Sequence, residues 1–126
     1  MKLGQSAIIL AAGIFAATAT SAKAEETGWL TGHKALSAFR GLERQGFMPV
    51  KVQCRDSNKR GLNLWETEYN ITVAKRPADR FYYWAVGDSY GRIKVKAEKE
   101  GYRQVSLSQY TRKKSGLTIR CAIWQK

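Results

Sequence analysis

The chain has 126 residues, enough for one domain with a modest hydrophobic core. Its 22 lysines and arginines against 10 acidic residues give a net charge of +12, which favours anionic partners over cationic ones. Two cysteines and one histidine do not make a structural zinc set, so we expect neither a metal nor a cofactor.

The first 24 residues have the parts of a cleavable signal peptide. Lys2 supplies the positive n-region, residues 7–17 are apolar, and Ala22-Lys23-Ala24 has the small-x-small pattern that signal peptidase recognises. The apolar stretch is shorter than the roughly 20 residues of a spanning helix, which disfavours an uncleaved anchor. We therefore predict a signal peptide over 1–24 and one domain over 25–126, periplasmic or secreted, without a spanning segment after cleavage.

Both cysteines remain after cleavage. In an oxidising compartment an even pair usually forms a disulfide, so we predict a Cys54–Cys121 bridge, with two buried free thiols as the alternative. The bridge would close a loop of about 67 residues, worth roughly 4 kcal/mol in the chain-entropy model. Loss of Lys2 and Lys23 would leave 20 basic and 10 acidic residues, a net charge of +10.

The chain aligns with itself at a shift of 55 residues. Residues 29–71 and 84–126 then match without a gap at eight of 43 positions, where average usage would give roughly three. The matches include three glycine pairs: Gly32/Gly87, Gly46/Gly101 and Gly61/Gly116. Because glycines at fixed offsets indicate repeated turns, we predict two pseudo-repeats that arose by internal duplication.

Each repeat begins with a helix pattern. In the first, Ala35, Phe39 and Leu42 fall on one face of a helix that ends at Gly46. In the second, residues 92–99 alternate like a strand but also suit a helix that ends before a glycine. The repeat favours the helix.

Strand patterns follow both helices. Alternation places Val50, Val52 and Cys54 on the inner face of one strand, and leaves Ser106 and Ser108 on the outer face of its counterpart. Three further strands are indicated by the inner set Trp65, Thr67, Tyr69, Ile71 and Val73, by the aromatic run 80–86, and by Leu117, Ile119, Cys121 and Ile123. The fold class is therefore α+β: a small antiparallel sheet with two helices on one face, in the order α-β-β-β-α-β-β.

Two runs near the end of the chain are Gly101-Tyr102-Arg103-Gln104-Val105-Ser106-Leu107-Ser108 and Cys121-Ala122-Ile123-Trp124. They resemble a bacterial tandem-repeat module of secreted proteins, which has a Gly-Tyr-Arg-Pro-Val-Ser-x-Ser run and then an aromatic-Ala-Ala-x-Trp run. Gln104 stands where the module has proline, and Cys121 where it has an aromatic residue. The resemblance covers mainly residues 101–124. It implies a structural or binding role and carries over no catalytic residue.

Candidate catalytic groups are few. His33 lies in the first turn of the first predicted helix, where a solvated or capping role is expected. Glu66 and Glu68 share a strand face and would suit paired acid–base chemistry, although ion pairing with this basic chain is the simpler interpretation. We expect no enzymatic activity, and a small hydrolase that uses these glutamates stays open as an alternative.

Basic loops stand at the same place in the two repeats. The predicted anion-binding residues at these hairpin tips (55–60 and 112–114) are Arg55, Lys59, Arg60, Arg112, Lys113 and Lys114. A rival cationic cluster on the second helix consists of Arg92, Lys94, Lys96 and Lys99. Such fields attract polyanions, whereas the alternative is a surface that only keeps the protein soluble.

The leading hypothesis is a non-enzymatic exported module that binds an anionic partner. Envelope polymers, anionic lipid, acidic glycans and nucleic acid are candidates for that partner. The alternative is a structural or protein-interaction module, such as an enzyme inhibitor, whose partner contacts the sheet or the aromatic strand.

The mature protein is predicted to begin at Glu25, because cleavage follows the small-x-small pattern. N-terminal sequencing of exported material checks this. A start at Met1 in that fraction would contradict it.

Overall fold

The structure is a computed structural model that describes residues 24–58 and 67–126. The elements in chain order are β1 (Glu25–Glu26), β2 (Leu30–Thr31), α1 (Gly32–Arg44), β3 (Phe47–Asp56), β4 (Thr67–Lys75), β5 (Tyr82–Val86), α2 (Tyr90–Lys99), β6 (Arg103–Thr111) and β7 (Thr118–Gln125). The short 3-10 turn Gly87–Ser89 leads into α2. The predicted α+β class is confirmed, and residues 92–99 are helical.

The strands form two antiparallel sheets rather than the single sheet predicted. In the first sheet β4 is central: β1 and β2 pair with one edge of it and β3 pairs with the other. In the second sheet β7 is central, between β5 and β6. The two-residue strands β1 and β2 were not expected, since so short a segment has no periodic pattern.

The first helix follows its apolar pattern closely. Ala35 and Phe39 are buried, and Leu42 packs against the same core. The chain leaves α1 through Gly46 at φ +91°, a left-handed conformation that glycine adopts without steric cost. Gly101 has φ +87° after α2, so both helices end in the same way.

The two helices lie on opposite faces of the second sheet, not on one face as predicted. On one face Phe39 of α1 contacts Trp84 of β5, with ring centroids 4.9 Å apart. On the other face α2 packs through Ala97 in a second cluster with Ala85, Ala122 and Trp124. Four consecutive residues of β7, 121–124, are consequently fully buried. The alternation of Ile119, Cys121 and Ile123 revealed one face of β7 and hid the other.

The two sheets meet along β3 and β6, a contact that we call the seam. Val52 N donates to Ser106 Oγ at 3.0 Å, and Cys54 N donates to Ser108 Oγ at 3.1 Å. Both pairs are 54 residues apart, so the two strands run in the same direction, and serine hydroxyls take the place of a backbone ladder. The expectation that these serines face outward was wrong. Leu107 between them faces out, with 49% of its surface exposed.

The predicted disulfide is confirmed. Cys54 of β3 is bonded to Cys121 of β7, with the Cα atoms 6.4 Å apart. Ser108 is the cross-strand partner of Cys121, so the bond crosses the seam beside the Cys54–Ser108 hydrogen bond. Leu117, expected on the same face, precedes β7 and is 58% exposed.

The two halves share further geometry. A bulge interrupts β3 between Pro49 and Lys51 and interrupts β6 at the same place, 55 residues later. Beyond the hairpin loops the correspondence changes, because Cys54 pairs with Tyr69 while Gln109 pairs with Arg120, a shift of 51. The ungapped alignment therefore placed the second strands out of register. The suggested bulge near residues 64–65 lies outside the described residues, and an origin by duplication stays a prediction.

Ser108→Ala is expected to lower the free energy of unfolding by about 1–3 kcal/mol, because the N–H of Cys54 loses its acceptor at a partly buried seam. Gln109→Ala, at the next and exposed position, is the matched control and should stay within about 0.5 kcal/mol of the parent. Denaturant titration of the oxidised proteins measures both. Equal stabilities for the two variants would contradict the role of the serine.

Candidate functional site

The two hairpin tips lie side by side at one end of the molecule. Asp56, the last residue of β3, accepts a hydrogen bond from Asn58 N at 2.8 Å through Oδ1. Its other carboxylate oxygen accepts from Lys113 N at 3.4 Å, in the second tip. One carboxylate therefore orders the start of the first tip and ties it to the second.

The ionised form of Asp56 is stabilised by these contacts. The hydrogen bond from Asn58 lowers the pKa of the Asp56 carboxyl, and the backbone and charge of Lys113 and the charge of Arg112 lower it further. Partial burial acts in the opposite direction and does not reverse the shift. The acid is thus a fixed negative charge that holds cationic residues in place.

The structure brings together only part of the predicted anion-binding set. Lys113 and Lys114 are exposed, and Arg112 beside them is half-buried. Arg55 lies near the end of β3, where its Nε is 3.0 Å from Glu68 Oε1 and its guanidinium stacks 3.9 Å from the Trp29 ring centroid. Lys59 and Arg60 lie outside the described residues. Arg55 is therefore held by neighbours, while the second tip presents its lysines to solvent.

Arg112 also lines a cavity of about 480 Å³ between the second tip and the start of α2. The hydroxyl-bearing residues Thr67, Tyr69 and Ser89 line the same cavity. Burial raises the pKa of Tyr69 to about 12, so its hydroxyl remains protonated at neutral pH. This arrangement places a guanidinium and hydrogen-bonding hydroxyls next to the exposed lysines of the tip.

The rival cluster on α2 is more strongly paired. Lys94 Nζ lies 2.9 Å from a carboxylate oxygen of Glu98, one helical turn away. Lys96 Nζ is 5.5 Å from the ring centroid of Tyr83. Arg92 and Lys99 are exposed. This surface is cationic as predicted, although part of its charge is already compensated.

The candidate catalytic residues do not form a site among the described residues. Glu68 is paired with Arg55, which agrees with the ion-pair interpretation, and Glu66 lies outside the described ranges. His33 is exposed in the first turn of α1. Over residues 24–58 and 67–126, no three histidine, cysteine or acidic side chains are placed to share a metal ion.

The aromatic strand β5 borders a groove of about 570 Å³. Its lining residues are Glu43, Arg76, Phe81, Tyr82, Tyr83, Trp84 and Tyr102. Tyr82 donates a hydrogen bond to Glu43, and burial together with this bond raises the pKa of Tyr82. The run of aromatic residues was visible in the sequence, whereas the groove requires residues from four separate segments.

Asp56 was missed as a functional residue. Its position two residues before Asn58 is a signal for a local turn in which an aspartate side chain accepts a backbone hydrogen bond. Nothing local indicates its second partner, because Lys113 is brought to it by the seam.

Comparison with protein-family models, characterised proteins and solved structures gives no match to this chain. In the part of the chain that the structure describes, no helix is long and apolar enough to cross a membrane.

Asp56→Asn is expected to change how stability depends on pH. A carboxyl whose pKa is lowered by folding stabilises the folded state above its unfolded pKa of about 3.9, and this contribution is lost as pH falls through the lower folded value. The parent should therefore lose its stability advantage over the variant on acidification below about pH 4. Urea titrations from pH 7 to pH 2 measure the difference. A difference that is constant with pH would contradict the shift.

Proposed function

We propose that the mature chain is a non-enzymatic exported module that binds an anionic polymer through its paired hairpin tips. The observation behind this proposal is the Asp56 bridge, since it gathers basic residues of both repeats at one end of the fold. A single cationic surface contacts several phosphate, sulfate or carboxylate groups of one polymer at once, and each contact releases counterions.

The disulfide supports the exported location in this proposal. Disulfides persist in oxidising compartments, and the Cys54–Cys121 bond joins the two sheets of the fold. The signal-peptide pattern of residues 1–24 and the resemblance of residues 101–124 to a module of secreted proteins favour the same location. The proposal therefore places the protein in the periplasm or outside the cell.

The exposed state of Lys113 and Lys114 supports the tips over the α2 surface. On α2, Lys94 would have to give up its contact with Glu98 before it could bind a polyanion with its full charge. Surface ion pairs of this kind are weak, about 0–1 kcal/mol, so the difference is a preference that experiment can resolve.

Binding to heparin should weaken steeply as salt rises. If about half of the six tip cations engage, the log–log salt slope is roughly −2 to −3. A tip variant with Lys59, Arg60, Lys113 and Lys114 changed to serine should elute at lower salt with a flatter slope. It should remain folded, because side chains at turn tips are rarely part of a core.

The matched control changes Arg92, Lys94, Lys96 and Lys99 to serine and so removes the same number of charges. Elution of this α2 variant close to the parent, with early elution of the tip variant, is the expected result on a heparin column. Equal shifts for both variants would mean that total charge decides retention. Early elution of the α2 variant alone would assign the site to the helix.

A further inference from the structure

We propose that the open edge of β5 is a docking site for an acidic, extended polypeptide segment, which adds to the second sheet as a further strand. The edge, the groove beside it and the charges around that groove each contribute to this inference. It is independent of polyanion binding at the hairpin tips.

The backbone of β5 has one free side within the described ranges. Phe81 and Lys126 exchange two backbone hydrogen bonds, of 2.9 and 3.0 Å, so Phe81 points its polar groups at β7. By the alternation of antiparallel pairing, Tyr83 and Ala85 do the same, while Tyr82 and Trp84 point their N–H and C=O groups away. No described strand pairs with that outer side of β5.

The groove follows this free edge. Four consecutive residues, 81–84, line it. Because successive side chains of a strand point to opposite faces, a groove bordered by all four runs along the edge and not over one face. Trp84 forms a wall on the α1 side, and Tyr83, stacked 4.8 Å from Tyr102, forms the wall on the other side. An added strand would place its alternate side chains against these two aromatic walls.

The charges around the groove favour an acidic segment. Arg76 lies over the Phe81 ring at 5.8 Å, Lys96 over Tyr83 at 5.5 Å, and Lys126 over Tyr102 at 5.6 Å. The neighbouring acids, in contrast, already have hydrogen-bond donors.

Glu43 accepts the Tyr82 hydroxyl and Glu100 accepts the Tyr83 hydroxyl. The cations around the edge thus outnumber the acids that are open to a ligand. A second copy of this chain would bring the same cations and a mature charge of +10, which opposes self-pairing at this edge.

The test uses the mature, oxidised, ¹⁵N-labelled protein and the peptide acetyl-Glu-Val-Glu-Val-Glu-amide. We expect saturable chemical-shift changes centred on β5, and slower exchange of the Tyr82 and Trp84 amide hydrogens. The amides of Tyr83 and Ala85 are already bonded and should keep their exchange rates. The same peptide with lysine in place of glutamate should not bind.

Arg76→Glu should weaken the acidic peptide by about tenfold, the factor that one lost favourable contact of ordinary strength represents. Lys113→Glu makes the same charge change at the hairpin tips and should leave peptide affinity unchanged. The proposal is overturned if neither peptide binds, if both bind equally, or if the two variants weaken binding equally.

A concentration-dependent dimer in sedimentation that Arg76→Glu dissociates would assign the edge to a second copy instead, and would also overturn the proposal. Retention on heparin tests the tips and not this edge. Failure of either proposal is therefore visible without the other.

Discussion

The contact on which the rest of the structure depends is the seam between β3 and β6. Two parallel strands meet there with serine hydroxyls between them, since Ser106 and Ser108 accept the outward N–H groups of Val52 and Cys54. Buried N–H groups need acceptors, and here short polar side chains supply them where no backbone ladder exists. The Cys54–Cys121 bond fixes the same place covalently.

The remaining architecture follows from this junction. With the sheets joined through β3 and β6, β7 becomes an interior strand that is covered by α1 and the first sheet on one face and by α2 on the other. The outer strand β5 keeps an open backbone edge. The hairpin loops that follow β3 and β6 end next to each other, which lets Asp56 contact Lys113 across 57 residues of sequence.

The charge of the protein has different uses in its different regions. Arg55 and Lys94 are paired with nearby carboxylates, and cations around β5 lie over aromatic rings. The lysines of the second tip are exposed beside the half-buried Arg112. A net charge therefore says little about where a polyanion would bind until each cation has been placed against its neighbours.

The sequence alone determined those features that rest on local periodicity and turn chemistry: α1 with its glycine end, the strand around Val52 and Cys54, the aromatic strand and the pairing of two cysteines. It did not determine which face of a strand is inside when both faces are covered, as in residues 121–124, nor the role of serines whose partners lie 54 residues away. Only the tertiary structure decided these, because the seam and the Asp56 bridge join distant segments whose meeting leaves no periodic trace in either one.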